Sequence, residues 1–158
     1  MNIFFEEHEE ILQLLNKHQV EYLLIGGYAV HYYGYHRMTG DMDLWIGSDK
    51  DNIRRLQDAF REGGFEEEDL AYLDTVDFTQ PVVFWVGTEP QRIDFITRVN
   101  LVEFEEAYAR KEVCKLENGL ILNIVQYRDL VLMKMNTGRT KDKADIEELQ
   151  KVNRKKRE

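Results

Sequence analysis

One segment near the N-terminus constrains the fold more than any other: a short apolar run, Tyr22 to Ile25, that stops at Gly26 and Gly27. A short run of this composition that ends at a turn signal predicts a buried strand. Residues 28–33 then have the composition of a short helix, which Gly34 is expected to close. A buried strand that passes directly into a helix is typical of a sheet covered by helices.

Helical and strand patterns continue along the rest of the chain. Apolar spacing and end signals predict helices over residues 3–18, 48–62, 103–110, 127–136 and 142–153. Alternating or continuous apolar runs predict strands over residues 41–46, 82–86, 92–99, 113–116 and 120–125. Ser48 is the expected N-cap of the helix that runs to residue 62. The acidic run 66–69 is interpreted as a solvated loop, and residues 70–80 favour neither helix nor strand.

The dipeptide Asn118-Gly119, between the last two predicted strands, is the strongest hairpin signal in the chain. Because hairpins interrupt the alternation of strands and helices, we expect an α/β (α+β) fold with a mixed central sheet flanked by helices. A length of 158 residues suits one domain, predicted over residues 1–158 with C-terminal helices from about residue 127.

Composition indicates a protein of the cytoplasm. Hydrophobic residues make up 43% of the chain, yet no apolar run approaches the roughly 20 residues of a membrane helix. The N-terminus lacks the basic start and long apolar stretch of a secretory signal, and the single cysteine excludes an intrachain disulfide. A net charge of −9 disfavours binding of a nucleic-acid backbone, except near the basic C-terminal end.

Three acidic residues are candidates for chemistry. Asp41 and Asp43 are two apart on a predicted strand, so their carboxylates point to one face, where they need water or a cation. Asp94 lies between two apolar residues of another predicted strand, and it joins the pair if the two strands are neighbours. Three carboxylates together favour one or two Mg²⁺ ions, which prefer oxygen ligands. The simpler alternative is that all three are solvated strand positions.

The turn at Gly26 and Gly27 is a second candidate site. Glycines let backbone amides approach a phosphate closely, and the helix that follows directs its positive end to the same place. The alternative is a tight turn that binds nothing. The segment is neither a Walker A loop nor a dinucleotide-binding fingerprint, because the residues those motifs require do not follow it.

Together these residues resemble the signature of the DNA polymerase beta nucleotidyltransferase superfamily. That signature is an apolar residue, Gly-Gly or Gly-Ser, a spacer, an acid–apolar–acid triplet and a later acid on a strand; here Gly26-Gly27, thirteen residues, Asp41-Met42-Asp43 and Asp94 match it. The segments 37–40, 132–134 and 138–146 are most similar to a small bacterial branch that includes abortive-infection toxin-like and antibiotic-modifying enzymes.

The resemblance implies a nucleotidyltransferase fold and a role for each matching residue. Gly26 and Gly27 would hold a nucleoside triphosphate, Asp41 and Asp43 would bind Mg²⁺, and Asp94 would bind metal or act as a base. Four further residues are implied as nucleotide contacts: Arg37, Thr39, Lys134 and Lys141. The residues themselves leave simpler roles open, since Lys134 can extend along an amphipathic helix to water and Arg139 can pair with Asp142 or Asp145.

The expected function is metal-dependent transfer of a nucleoside monophosphate from an NTP to a small molecule, an RNA end or a protein. One alternative is a catalytically inactive module of the same fold that binds nucleotide or a partner protein. Another is a structural or interaction domain that binds no NTP. Metal-dependent turnover separates the first from the other two.

Overall fold

The computed structural model describes residues 4–157, and within this range the chain forms seven helices and six strands. The helices are α1 (Glu6–Lys17), α2 (Gly26–Tyr32), α3 (Lys50–Glu62), α4 (Glu67–Asp74), α5 (Phe104–Ala109), α6 (Tyr127–Lys134) and α7 (Thr140–Arg157). The strands are β1 (Tyr22–Ile25), β2 (Met42–Ile46), β3 (Val83–Val86), β4 (Ile93–Ile96), β5 (Glu112–Lys115) and β6 (Ile121–Ile124).

The six strands form one mixed sheet in the order β3-β4-β2-β1-β6-β5. β2 pairs with β4, and β1 with β6, in parallel, whereas β1–β2, β3–β4 and β5–β6 are antiparallel. The predicted mixed α/β architecture is therefore confirmed. The expected hairpin is also confirmed: Gly119 joins β5 to β6 with φ +88°, a left-handed conformation that favours glycine.

The sheet is covered unequally on its two faces. On one face, buried Phe95 of β4 contacts Phe60 of α3 edge to face, and α1 packs beside α3. On the opposite face, Phe104 of α5 packs against Trp45 of β2. The second face stays partly open beside α6, where a cavity is lined by Asp43 of β2, Ile96 of β4 and Leu130 of α6. No helix within residues 4–157 has the length and apolar character needed to cross a membrane.

The N-cap of α3 and the start of α1 differ from the prediction. The N-cap of α3 is Asp49 instead of Ser48: its carboxylate accepts a hydrogen bond from the backbone N–H of Asn52. Both residue types cap helices well, so only the path of the chain decides between them. The predicted start of α1 at residue 3 lies outside the described residues, and the observed helix begins at Glu6.

The acidic run interpreted as a loop is the beginning of a helix. Glu67, Glu68 and Asp69 form the first turn of α4, where carboxylates interact favourably with the unpaired N–H groups of a helix N-terminus. Leu70 and Leu73 of the same helix are buried against the core. The loop prediction for residues 66–69 was therefore wrong for residues 67–69, which begin a helix whose apolar side chains pack on the core.

Candidate functional site

The parallel pairing of β2 with β4 places the acidic residues side by side. Asp43 and Asp94 are direct neighbours in the register of these strands, and Asp41 comes immediately before β2. Because side chains two apart on a strand share a face, Asp41 lies on the same side as Asp43. The structure thus brings the three acids to the partly open face of the sheet.

The pKa of Asp43 is shifted by its surroundings. Burial, followed by the nearby charges of Asp94 and Asp41 and a hydrogen bond with Asp94, raises the pKa of Asp43 to about 7. The charge of Lys141 acts in the opposite direction, but it is outweighed. A carboxylate in such surroundings favours the binding of a proton or a cation.

The acids have the chemistry that a magnesium ion requires. Their donor atoms are all carboxylate oxygens, which suit Mg²⁺ better than softer metals, and Oδ1 of Asp41 is buried without a hydrogen-bond partner. Within residues 4–157 no three Asp, Glu, His or Cys side chains already stand at metal-ligand spacing. Nε of Arg92 lies 2.8 Å from Oδ1 of Asp94 and 3.5 Å from Oδ2 of Asp41. The side chains therefore fit a magnesium ion in kind, and a guanidinium now lies between two of them.

The glycine turn lies directly beside the acids. Gly26 has φ +67°, and a Cβ at this position would collide with Oδ2 of Asp43. Only glycine fits both the backbone conformation and the space. Gly27 is also closely approached, since a Cβ there would lie 3.1 Å from Cγ2 of Thr39 and 3.4 Å from Nη1 of Arg37. The turn and the carboxylates thus form one site.

The role of Gly26 can be tested against a second glycine of similar backbone conformation. Gly26→Ala is expected to lower the free energy of unfolding by about 1–3 kcal/mol through backbone strain, with a further loss from the collision with Asp43. Gly64, with φ +87° and open space within 4 Å of where a Cβ would lie, provides the matched control Gly64→Ala. Urea denaturation measures both variants. Equal losses would show that Asp43 imposes no packing constraint on Gly26.

A cavity of about 480 Å³ opens next to this turn, a volume typical of small-molecule sites. Gly26 and Asp43 form part of its wall, and most of the rest comes from α6, the segment after β4 and the segment between α6 and α7. Three cationic side chains also line it: Arg98, Lys134 and Arg139. The cavity is therefore lined by a carboxylate, which can bind a metal ion, and by cationic side chains, which can bind the anion that accompanies the metal.

Of the basic residues predicted to contact nucleotide, two form ion pairs with a buried acid and one is exposed. Lys134 and Arg37 are both held by Asp145, with Lys134 Nζ at 2.9 Å and Arg37 Nε at 2.7 Å from its carboxylate oxygens. Burial by itself raises the pKa of Asp145, but the hydrogen bonds from Arg37 and Lys134 outweigh it and the pKa is lowered. Lys141, by contrast, is exposed and near enough to attract Asp43.

A larger cavity, of about 690 Å³, lies elsewhere, between the end of α2 and the β5–β6 hairpin. None of the three acids lines it. His31 and His36, which also line it, stack on each other with ring centroids 4.1 Å apart. Because the smaller cavity holds the glycine turn and Asp43, it is the better candidate for chemistry despite its size.

Sequence reasoning missed three residues of the site: Arg92, Arg98 and Trp85. Arg92 had an available signal, since it precedes Asp94 by two positions on a predicted strand and so shares its face. Arg98 had a similar signal, because the predicted strand 92–99 places it four positions from Asp94, although in the structure it follows β4 in an irregular segment. Trp85 lies opposite Asp94 in the β3–β4 register, a pairing that requires knowledge of the hairpin alignment.

The mixed sheet, the glycine turn beside it and the acids on neighbouring parallel strands define a protein of the nucleotidyltransferase fold. The chain belongs to the family described as nucleotidyltransferase of unknown function (DUF6036), whose model matches residues 2–155. A search of curated proteins found no match. The similarity to the toxin-like and antibiotic-modifying branch stays a prediction.

Proposed function

We propose that this protein transfers a nucleoside monophosphate from a magnesium-bound NTP to a hydroxyl group of an acceptor. The observation that carries the proposal is the position of Asp43, which contacts the Gly26 turn on one side and Asp94 on the other and lines a cavity with cationic side chains. The turn that would bind phosphate and the acid that would remove the proton thus lie on either side of Asp43.

Each part of the site has a role in this reaction. Asp41 and Asp43 would hold Mg²⁺, with Asp94 as a third ligand or as the base. When bound, the metal would polarise the phosphoryl oxygens and neutralise charge on the leaving pyrophosphate. Lys141 and Arg139 have side chains exposed enough to contact the triphosphate. Lys134 and Arg37, paired with Asp145, would act mainly by holding α7 against the site.

The proposed step balances without any further reagent. The acceptor oxygen forms a bond to the α-phosphorus, and the bond from that phosphorus to the bridging oxygen breaks, so that pyrophosphate leaves. Asp94, the neighbour of Asp43 on β4, would accept the hydroxyl proton, which then passes to water. The family description supports transfer of a nucleotidyl group, and the acceptor class is a matter for experiment.

One observation favours the alternative of a binding module without catalysis. The ion pair between Arg92 and Asp94 occupies the carboxylate that would serve as ligand or base. In an inactive module this pair would persist when nucleotide binds. Incubation with α-labelled NTP and Mg²⁺, followed by mass spectrometry of candidate acceptors, separates the two functions, since only an enzyme releases pyrophosphate and labels an acceptor.

Binding of the nucleotide is expected to stabilise the protein. With Mg²⁺ and an NTP at one hundred times its Kd, the free energy of unfolding is expected to rise by about 2.7 kcal/mol, because the ligand binds only the native state. A thermal shift screen of the four NTPs, with and without EDTA, measures this. The double variant Asp41→Asn, Asp43→Asn is the control and should lose the shift while remaining folded. An unchanged shift in the double variant would show that the nucleotide binds elsewhere.

A further inference from the structure

The side chain of Arg92 makes three contacts beside the acidic residues of the site. Its Nε lies 2.8 Å from Oδ1 of Asp94 and 3.5 Å from Oδ2 of Asp41, and its Cζ lies 4.8 Å from the centroid of the Trp85 ring. A guanidinium stacked on an aromatic face and bonded to a carboxylate has little freedom, because its planar geometry matches both partners. Arg92 is therefore positioned by contacts and not merely located nearby.

The local sequence explains this placement. Arg92 immediately precedes β4 and is two residues from Asp94, and Trp85 lies directly opposite Asp94 on β3. Trp85 has 59% of its surface exposed, whereas Phe84, next to it, stacks on buried Phe95. Trp85 thus stands on the face of the sheet that carries the acids, and its ring covers the guanidinium from outside.

We propose that Arg92 makes the acidic site selective for a metal that arrives with a triphosphate over the free ion. This inference rests on the proposed function. Arg92 occupies the position of a cation between Asp41 and Asp94, so free Mg²⁺ must displace a paired guanidinium as well as lose bound water. A metal–NTP complex brings phosphate oxygens that can accept the released guanidinium, and Arg pairs well with phosphate. The loss of the ion pairs of Arg92 is therefore offset by new contacts to phosphate only when nucleotide is present.

The proposal predicts the affinity of the free metal. Mn²⁺ alone, followed by the electron paramagnetic resonance of the unbound ion, is expected to bind wild type weakly and Arg92→Gln about tenfold more tightly. The charge-matched control is Arg54→Gln, which removes an exposed arginine that pairs with Asp51 on α3. That control should leave Mn²⁺ affinity near the wild-type value.

A second variant tests the aromatic contact without removing a charge. Trp85→Leu takes away the ring that restrains the guanidinium, and because Trp85 is exposed the fold should tolerate the change. Mn²⁺ affinity is expected to rise in this variant, by less than in Arg92→Gln. In wild type, release of the guanidinium from the Trp85 ring should be detectable by fluorescence: Trp45 is 1% exposed, so acrylamide quenching reports mainly on Trp85. Adding Mg²⁺ with NTP should increase quenching more than Mg²⁺ alone.

The outcomes separate this inference from the proposed function. Tighter Mn²⁺ binding in Arg92→Gln and Trp85→Leu, but not in Arg54→Gln, supports the role of Arg92. Unchanged affinity in Arg92→Gln, in a protein that still binds Mg²⁺ with NTP, overturns the inference and leaves the proposed function standing. If neither wild type nor Arg92→Gln binds Mn²⁺, with or without NTP, both are wrong.

Discussion

Replacing Asp43 by asparagine is expected to slow nucleotidyl transfer strongly and, above neutral pH, to stabilise the protein. The rate of transfer should fall about 10³-fold, the scale of losing one preorganised electrostatic contact at a reaction centre. Stability should change in the opposite direction, because the carboxylate is buried next to Asp94 and Asp41. An uncharged amide of nearly the same shape removes that repulsion.

The sign of the stability change follows from the raised pKa of Asp43. The native state holds this proton up to about pH 7, whereas the unfolded chain releases it near the ordinary value of 3.8. Between these values the native state binds more protons, so the free energy of unfolding of wild type falls as pH rises. At pH 8 without metal, Asp43→Asn should therefore be more stable by about 2–4 kcal/mol. At pH 4 the two proteins should be nearly equal.

Urea denaturation at pH 4 and pH 8 in EDTA, together with turnover of labelled NTP in Mg²⁺, measures both effects. Asp51→Asn is a suitable control, since the Asp51 side chain is 71% exposed on α3 and makes only a surface ion pair. It should change neither quantity appreciably. A variant at Asp43 that loses activity and stability together would indicate a structural carboxylate instead of a functional one.

The second large effect is expected from Asp145→Ala on α7. Both oxygens of this buried carboxylate bond to Arg37, and one also bonds to Lys134, which is itself buried. Removal of the shared acid leaves Arg37 without its carboxylate partner, and it leaves buried Lys134 with the longer contact to Asp142, 3.4 Å from Nζ to Oδ1. The free energy of unfolding is expected to fall by about 3–5 kcal/mol, as for other broken buried pairs.

A neighbouring acid of the same helix provides the comparison. Glu148 pairs with Lys151 at 3.2 Å, but 38% of the Glu148 side chain and 58% of the Lys151 side chain are exposed. Glu148→Ala should cost less than about 1 kcal/mol, because water replaces an exposed partner. Chemical denaturation at pH 7 measures both variants. Similar small losses for the two would mean that Lys134 and Arg37 find other partners or water.

The acidic pair and Asp145 also illustrate how far the sequence predicts the site. The spacing of Asp41 and Asp43 on one strand was enough to predict that they share a face, since the alternation of side chains is a local property of a strand. Asp145 carried no such signal, because its partner Arg37 is 108 residues away along the chain. A buried ion pair between distant segments becomes visible only when both have packed.

The same division holds for the secondary structure. The Asn118-Gly119 hairpin and the Tyr22–Ile25 strand are encoded by residues within a few positions, and both were predicted correctly. The acidic run before Leu70 was interpreted as a loop because its charges are as suitable for water as for a helix start. Burial of Leu70 and Leu73 against the core decided in favour of the helix.

By itself the sequence determined the glycine turn, the acidic pair and the mixed α/β class, because each depends on the conformational preferences of neighbouring residues. Only the tertiary structure decided that β2 and β4 are parallel neighbours, which brings Asp94 beside Asp43 although the two are far apart along the chain. It also decided that Arg92, covered by Trp85, lies between the carboxylates. Strand order and long-range charge pairing depend on how the whole core packs, and no local pattern contains that information.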